Sequence, residues 1–333
     1  MKLLHRFRRF AGTFLATSLL ASTSTADTPF PSTYQAPSHT PTILTNAPLL
    51  TGTGQKLESA SLYFVDGRIV SVGEQPKTLS EDTRVIDVDG AWVTPGIIDV
   101  HSHLGVYPSP GVDAHSDGNE ATAPVTAEVW AEHSVWPQDP GFGRALAGGI
   151  TAMQILPGSA NLFGGRGVTL KNVASVTYQG MKFPGAPYGL KMACGENPKR
   201  VYGRKGSGPS TRMGNIAGYR AAWIKATDYR DEHAKYAALS DEEKIEAKKP
   251  KRDLELETLA GVLDGDIIIH MHCYRADEMM TILDLAKEFN YTVGTFHHGV
   301  EAYKISSELA ENGVCGALWA DWWGFKMEAY DGI

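Results

Sequence analysis

The stretch Thr94-Pro95-Gly96-Ile97-Ile98-Asp99-Val100-His101-Ser102-His103-Leu104-Gly105 decides how the chain is read. Side chains alternate along a strand, so His101 and His103 share one face while Val100 and Ser102 take the other. Two imidazoles spaced this way at the end of an apolar strand suit chelation of one divalent cation. In a barrel of parallel strands, the carboxyl ends form the rim that carries the chemistry. A bare His-x-His is as often a pair of core or surface histidines. The apolar strand before this pair, the glycine after it and the small β unit upstream favour the metal reading.

Upstream, residues 41–94 hold short β-type runs: Thr42-Ile43-Leu44, Ser61-Leu62-Tyr63-Phe64-Val65, Arg68-Ile69-Val70-Ser71-Val72 and Arg84-Val85-Ile86-Asp87-Val88. Asp66-Gly67 is expected to close a tight hairpin, because both central residues of a type I′ turn need positive φ. Asp89-Gly90 marks a second turn. A small antiparallel sheet is expected here. Residues 27–40 are rich in Pro, Ser and Thr and read as a disordered leader. Residues 1–26 read as a secretory signal peptide: Lys2, Arg6, Arg8 and Arg9, an apolar run from Phe10 to Ala21, then Ser24-Thr25-Ala26. That apolar run is too short to span a bilayer as a helix. The expected location is therefore periplasmic or extracellular, with no membrane attachment after cleavage. Arg8-Arg9 is a weak match to twin-arginine export.

Downstream, residues 95–333 alternate strands with helices, the pattern of a parallel sheet. Strands are expected at 96–101, 152–156, 189–193, 267–272, 292–297 and 314–320, with helices at 276–289 and 302–312. Two insertions interrupt the alternation, 108–140 and the strongly charged 199–257. In the second, Ser240-Asp241-Glu242-Glu243 forms a capping box. The chain has 333 residues and a net charge of −7, so nucleic acid is not an expected partner. Three cysteines, Cys194, Cys273 and Cys315, are too few and too odd for a disulfide framework and read as small core residues.

Further candidates lie at strand ends. The strand ending His270-Met271-His272-Cys273 places His272 at the rim and His270 one repeat deeper, where a structural role is favoured. In Thr295-Phe296-His297-His298-Gly299 the two histidines point opposite ways, so at most one faces inward. Lys191 sits inside an apolar strand, where an unpaired ammonium is costly; pairing with a buried carboxylate is its plainer reading. Gly164-Gly165-Arg166-Gly167 could cradle an anion but reads more simply as a turn. Trp319, Trp322, Trp323 and Phe325 could line an apolar pocket or pack a core.

The small β unit followed by Pro-Gly-Ile-Ile-Asp-Val-His-Ser-His closely resembles the amidohydrolase superfamily, in particular its imidazolonepropionase-like and prolidase-like branch, over residues 41–333. The resemblance implies a β-sandwich beside a distorted (β/α)8 TIM-type barrel. It implies metal ligands at His101 and His103, at carbamylated Lys191 or else Glu196 on the fourth strand, at His272 on the fifth and at His298 (in preference to His297) on the sixth. His270 remains an alternative ligand. Tyr274, Arg275 and Trp319 are expected to touch substrate. The family's proton-relaying aspartate belongs to an eighth strand that is not read before Ile333, and Asp321 is not given that role. The expected fold is thus a barrel lacking its eighth strand, as in a truncated chain. The implied function is hydrolysis of an amide or other C–N bond, in a cyclic amide, an N-acyl amino acid or a short peptide, by a metal-activated water. Zinc is favoured, as one or two ions, with iron or manganese open. A small-molecule substrate is expected and a homo-oligomer stays open. The alternative of another class is a non-catalytic metal-binding or extracellular binding protein.

Overall fold

The computed structural model describes residues 29–319 and 326–330. The expected signal peptide, Asp321, Trp322, Trp323 and Phe325 lie outside the described residues.

Four strands form the N-terminal sheet: β1 (Thr42–Leu50), β2 (Lys56–Val65), β3 (Arg68–Gly73) and β4 (Arg84–Asp87). Their order is β3-β2-β1-β4 in a single sheet. Asp66 and Gly67 both have positive φ, 47° and 72°, and turn β2 into antiparallel β3. The expected all-antiparallel sheet needs one correction, because β4 pairs parallel with β1. The connection from β3 crosses the sheet before β4 joins the far edge.

The second sheet has seven strands in the order β11-β10-β9-β8-β7-β6-β5. They are β5 (Ile97–Ser102), β6 (Ile150–Ile155), β7 (Phe163–Lys171), β8 (Tyr188–Ala193), β9 (Ile267–His272), β10 (Val293–His297) and β11 (Cys315–Ala317). All neighbours are parallel except β7, which runs antiparallel to both β6 and β8. β7 contains Gly164-Gly165-Arg166-Gly167, so the expected turn is a buried strand. Glycine is required there by space and by backbone: Gly165 has φ 108°, and a Cβ would meet the Val129 carbonyl oxygen at 2.5 Å. A glycine-rich strand hides from propensity because the backbone, not a side chain, makes the contact.

Eight helices, α1 (Pro140–Ala147), α2 (Tyr178–Met181), α3 (Glu196–Arg204), α4 (Arg212–Ala237), α5 (Asp241–Glu246), α6 (Leu254–Leu263), α7 (Ala276–Phe289) and α8 (Ser306–Glu311), lie among the described residues. The capping box expected at Ser240 opens α5. The main core packs β8, β9 and β10 under α4, α6 and α7, around the fully buried Trp223. A smaller core lies against β6 and β7, with Phe142, Met153, Ile155 and Leu170.

One expectation is overturned in this region. Cys194 and Cys273, one residue past the ends of β8 and β9, form a disulfide with Cα atoms 5.2 Å apart; only Cys315 is free and exposed. Part of the leader makes specific contacts. Residues 31–40 form no regular element, yet Thr33 N–H donates to the Gln179 carbonyl at 3.0 Å and the Lys171 ammonium lies over Tyr34. No helix among the described residues is long and apolar enough to cross a membrane.

Candidate metal centre

The carboxyl ends of β5, β9 and β10 bring six histidines together. His101 Nε2 and His103 Nε2 are 3.2 Å apart, and His101 Nδ1 is 2.9 Å from His297 Nδ1. His297 Nε2 is 2.9 Å from His270 Nδ1, and His272 Nδ1 is 3.1 Å from His298 Nε2. The tilted rings of His101 and His298, with centroids 5.2 Å apart, join the two strings.

One backbone carbonyl orders the first string. His103 Nδ1–H donates to Leu156 O at 2.8 Å, which leaves its Nε2 as acceptor. His101 Nε2–H then donates to His103, His297 Nδ1–H to His101, and His270 Nδ1–H to His297. Asn197 orders the second string, donating its amide N–H to His272 Nε2 at 3.2 Å, so that His272 Nδ1–H donates to His298. These directions are those of uncharged rings, and burial keeps the rings uncharged. Burial first, then the Lys191 charge, lowers His103 and His270 to about 4 and His297 to about 2. His101 and His272 fall far below the ordinary range for the same two causes, and His298 falls through burial and then His272.

The expectation that only one of His297 and His298 could face inward is corrected. β10 ends at His297, and His298 takes a left-handed φ of 41°, which breaks strand alternation and turns its ring back toward His272. His270 lies deeper, opposite Lys191 in the β8–β9 register. It supports His297.

Lys191 is 1 % exposed, and burial lowers its ammonium to about 7. No carboxylate among the described residues pairs with it, so its plainer expected role is not met there. Glu196 instead opens α3 with its carboxylate 3.9 Å from the Lys326 ammonium. Tyr274 packs its ring 4.5 Å from that of His272, and Trp319 stands 5.0 Å from His298 and 5.7 Å from His101. Arg275 forks onto Asp277 at 2.8 and 2.9 Å, so its guanidinium is committed to the start of α7. Asn197 was not singled out from the sequence. Its only signal there was its place in the Gly195-Glu196-Asn197-Pro198 turn after a strand.

The donor set suits a divalent cation. Two ligand nitrogens on a tetrahedral ion at 2.0–2.1 Å stand roughly 3.3 Å apart, close to the 3.2 Å between His101 Nε2 and His103 Nε2, where an ion would have to replace the proton the two rings now share. The carbonyl behind His103 is the orienting partner that metal-bound imidazoles use. Among the described residues, no group of three or more His, Cys, Asp or Glu is placed to hold a metal ion; the rings hydrogen-bond one another instead.

No family model matches the chain. The crystal structure of an amidohydrolase from Thermotoga maritima is similar to it, with a TM-score of 0.79 and 36% identity, covering 87% of this chain and 73% of that one. The amidohydrolase tasK of Hapsidospora irregularis is 33% identical over 275 residues, 76% of this chain but 27% of the relative, so the chain spans about a quarter of that protein's length. An imidazolonepropionase of Stenotrophomonas maltophilia is 41% identical over 71 residues, 20% of this chain and 17% of the relative. Shared fold and sequence over nearly three quarters of a solved relative settle the family: the chain belongs to the amidohydrolase superfamily.

Proposed function

We propose that the protein is a metal-dependent hydrolase of C–N bonds in small molecules, working outside the cytoplasm. The observation that carries this reading is the convergence of six uncharged imidazoles beside the buried Lys191 at the carboxyl ends of the barrel strands. His101, His103, His272 and His298 are assigned to hold the ion, with zinc favoured for an imidazole-rich set. A divalent ion bound there supplies Lewis acidity, lowering the pKa of a water and polarising the scissile carbonyl.

The chain's own residues supply the rest. His270 and Asn197 hold the ring orientations of His297 and His272. Trp319, exposed on its outer side, offers a flat wall beside His101 and His298 for the substrate. Lys191, lowered toward neutrality, is available as a free amine. Its nitrogen lone pair adds to carbon dioxide with loss of one N–H proton, giving a carbamate whose carboxylate would complete the donor set. Cyclic amides, N-acyl amino acids and short peptides are the substrate classes proposed.

The test is steady-state hydrolysis of N-acetyl amino acids, dipeptides and a cyclic imide by protein loaded with zinc, iron or manganese. Turnover of one class, abolished by His101→Ala, supports the reading. Stoichiometric metal with no turnover of any class favours the non-catalytic metal-binding alternative.

A further inference from the structure

Beside His103 lies a cavity of about 520 Å3, lined among others by Val106, Asn119, Trp130, His133, Pro157 and Gly164. Two of its lining residues are tied to the backbone around His103. Val106 N–H donates to the His103 carbonyl, and Pro157 follows the Leu156 whose carbonyl orients the His103 ring. Its outer wall, Trp130 to His133, belongs to the 108–140 insertion, which has little regular structure: within it only Asp113–His115 and Ala131–His133 form single 3-10 turns.

The segment that meets this wall from outside comes from far away in sequence. The Phe30 ring stands edge-on to His133 at 4.6 Å and to Trp130 at 5.5 Å. Trp130 and His133 are themselves stacked, 6° from parallel. Beneath them the buried Lys182 ammonium uses its donors on three partners: the Phe30 carbonyl at 2.6 Å, the fully buried Glu132 carboxylate at 2.8 Å and the Tyr188 hydroxyl. Ser32 Oγ–H donates to the Lys182 carbonyl at 2.6 Å, and Thr33 N–H donates to the Gln179 carbonyl at 3.0 Å. An ammonium has three N–H groups, and a buried donor left without its acceptor carries the full desolvation penalty. The Phe30 carbonyl thus takes one donor of the ammonium that pairs with Glu132, whose neighbours Ala131 and His133 line the cavity.

We propose that residues 30–34 act as a strap that sets the position of the Trp130–His133 wall, so that Phe30 is a positioning residue for substrate selection in the cavity beside His103. The proposal rests on the hydrolase reading only for its kinetic consequence. The wall can be followed without turnover, by hydrogen exchange of the full chain.

Two variants separate the strap from the fold. Phe30→Ala removes the ring, and Thr33→Pro removes the N–H that anchors the strap to Gln179 without touching the cavity. Both are expected to speed amide exchange in residues 130–134 about tenfold while leaving β8–β10 unchanged. On the N-acetyl amino acid or dipeptide that the wild type hydrolyses, both should raise KM about five- to tenfold with kcat within about twofold. Phe30→Tyr should restore both readouts. Unchanged exchange in residues 130–134 in both variants overturns the proposal. So does a uniform rise in exchange across the barrel, which marks a general loss of stability. If the wild type hydrolyses none of the probes, the hydrolase reading fails and the exchange comparison still decides the strap.

Discussion

The histidine site stands between two unlike halves of one sheet. On the β9–β10 side, His272 is 1 % exposed, with helices α6 and α7 packed behind and the Cys194–Cys273 bond across the strand ends. On the β5 side, His101 and His103 stand on an edge strand whose outward residues are bare, Ile98 at 65 % and Val100 at 48 % exposed. The imidazoles are therefore held by burial on one side. On the other they are held by single hydrogen bonds, chiefly the Leu156 carbonyl to His103. A site built this way is stiff where β9 and β10 present their rings and dependent on specific polar contacts where β5 does.

The largest effect should come from acid, which acts on both halves at once. Each of the six histidines has a folded pKa below its ordinary value, so the unfolded chain binds more protons and stability falls as pH drops below about 6.5. Each ring contributes up to about 1.4 kcal/mol per pH unit until its folded value is reached, at about 4 for His103 and His270. Urea denaturation of chelator-treated protein at pH 7 and pH 5 should show a loss of about 5 kcal/mol or more. A flat profile would mean that the rings are not buried together.

Next comes the covalent tie of the stiff half. The disulfide closes a separation of 79 residues, and the Cys194→Ala/Cys273→Ala protein should lose about 2–4 kcal/mol in the same assay. Lys191 works in the opposite sense. Its folded value of about 7 lies below the ordinary 10.5, so the unfolded chain binds the extra proton between these values and neutral pH costs stability. Lys191→Met should therefore raise metal-free stability at pH 7 by about 1–3 kcal/mol while weakening metal binding. Ile98→Ser, on the bare outer face of β5, should change stability by about 0.5 kcal/mol or less. A loss as large as that at the disulfide would show that this face is covered in solution.

Much of this was legible in the sequence, and what was missed has physical causes. The apolar strands and their terminal histidines declare themselves because parallel strands read as continuous apolar runs, even on β5, whose outer face is bare. The His101–His103 pair follows from alternation alone. His297 and His298 do not, because one left-handed residue breaks the alternation at the strand end. β7 was hidden because its glycines are dictated by the approach of Val129 and Leu156, which no local pattern encodes. The disulfide was hidden because two cysteines 79 residues apart meet only once β8 and β9 are paired. Phe30 sat in a segment whose composition said disorder, yet three specific partners hold it.

Metal stoichiometry tests the metal centre proposed at the histidine cluster. Full-length protein, stripped and then dialysed against zinc at neutral pH, should retain one to two equivalents by elemental analysis. Both His101→Ala, on the edge side, and His272→Ala, on the buried side, should retain less than half as much while remaining folded. Wild-type protein that holds no stoichiometric divalent metal, or variants that bind as well as wild type, would contradict the account.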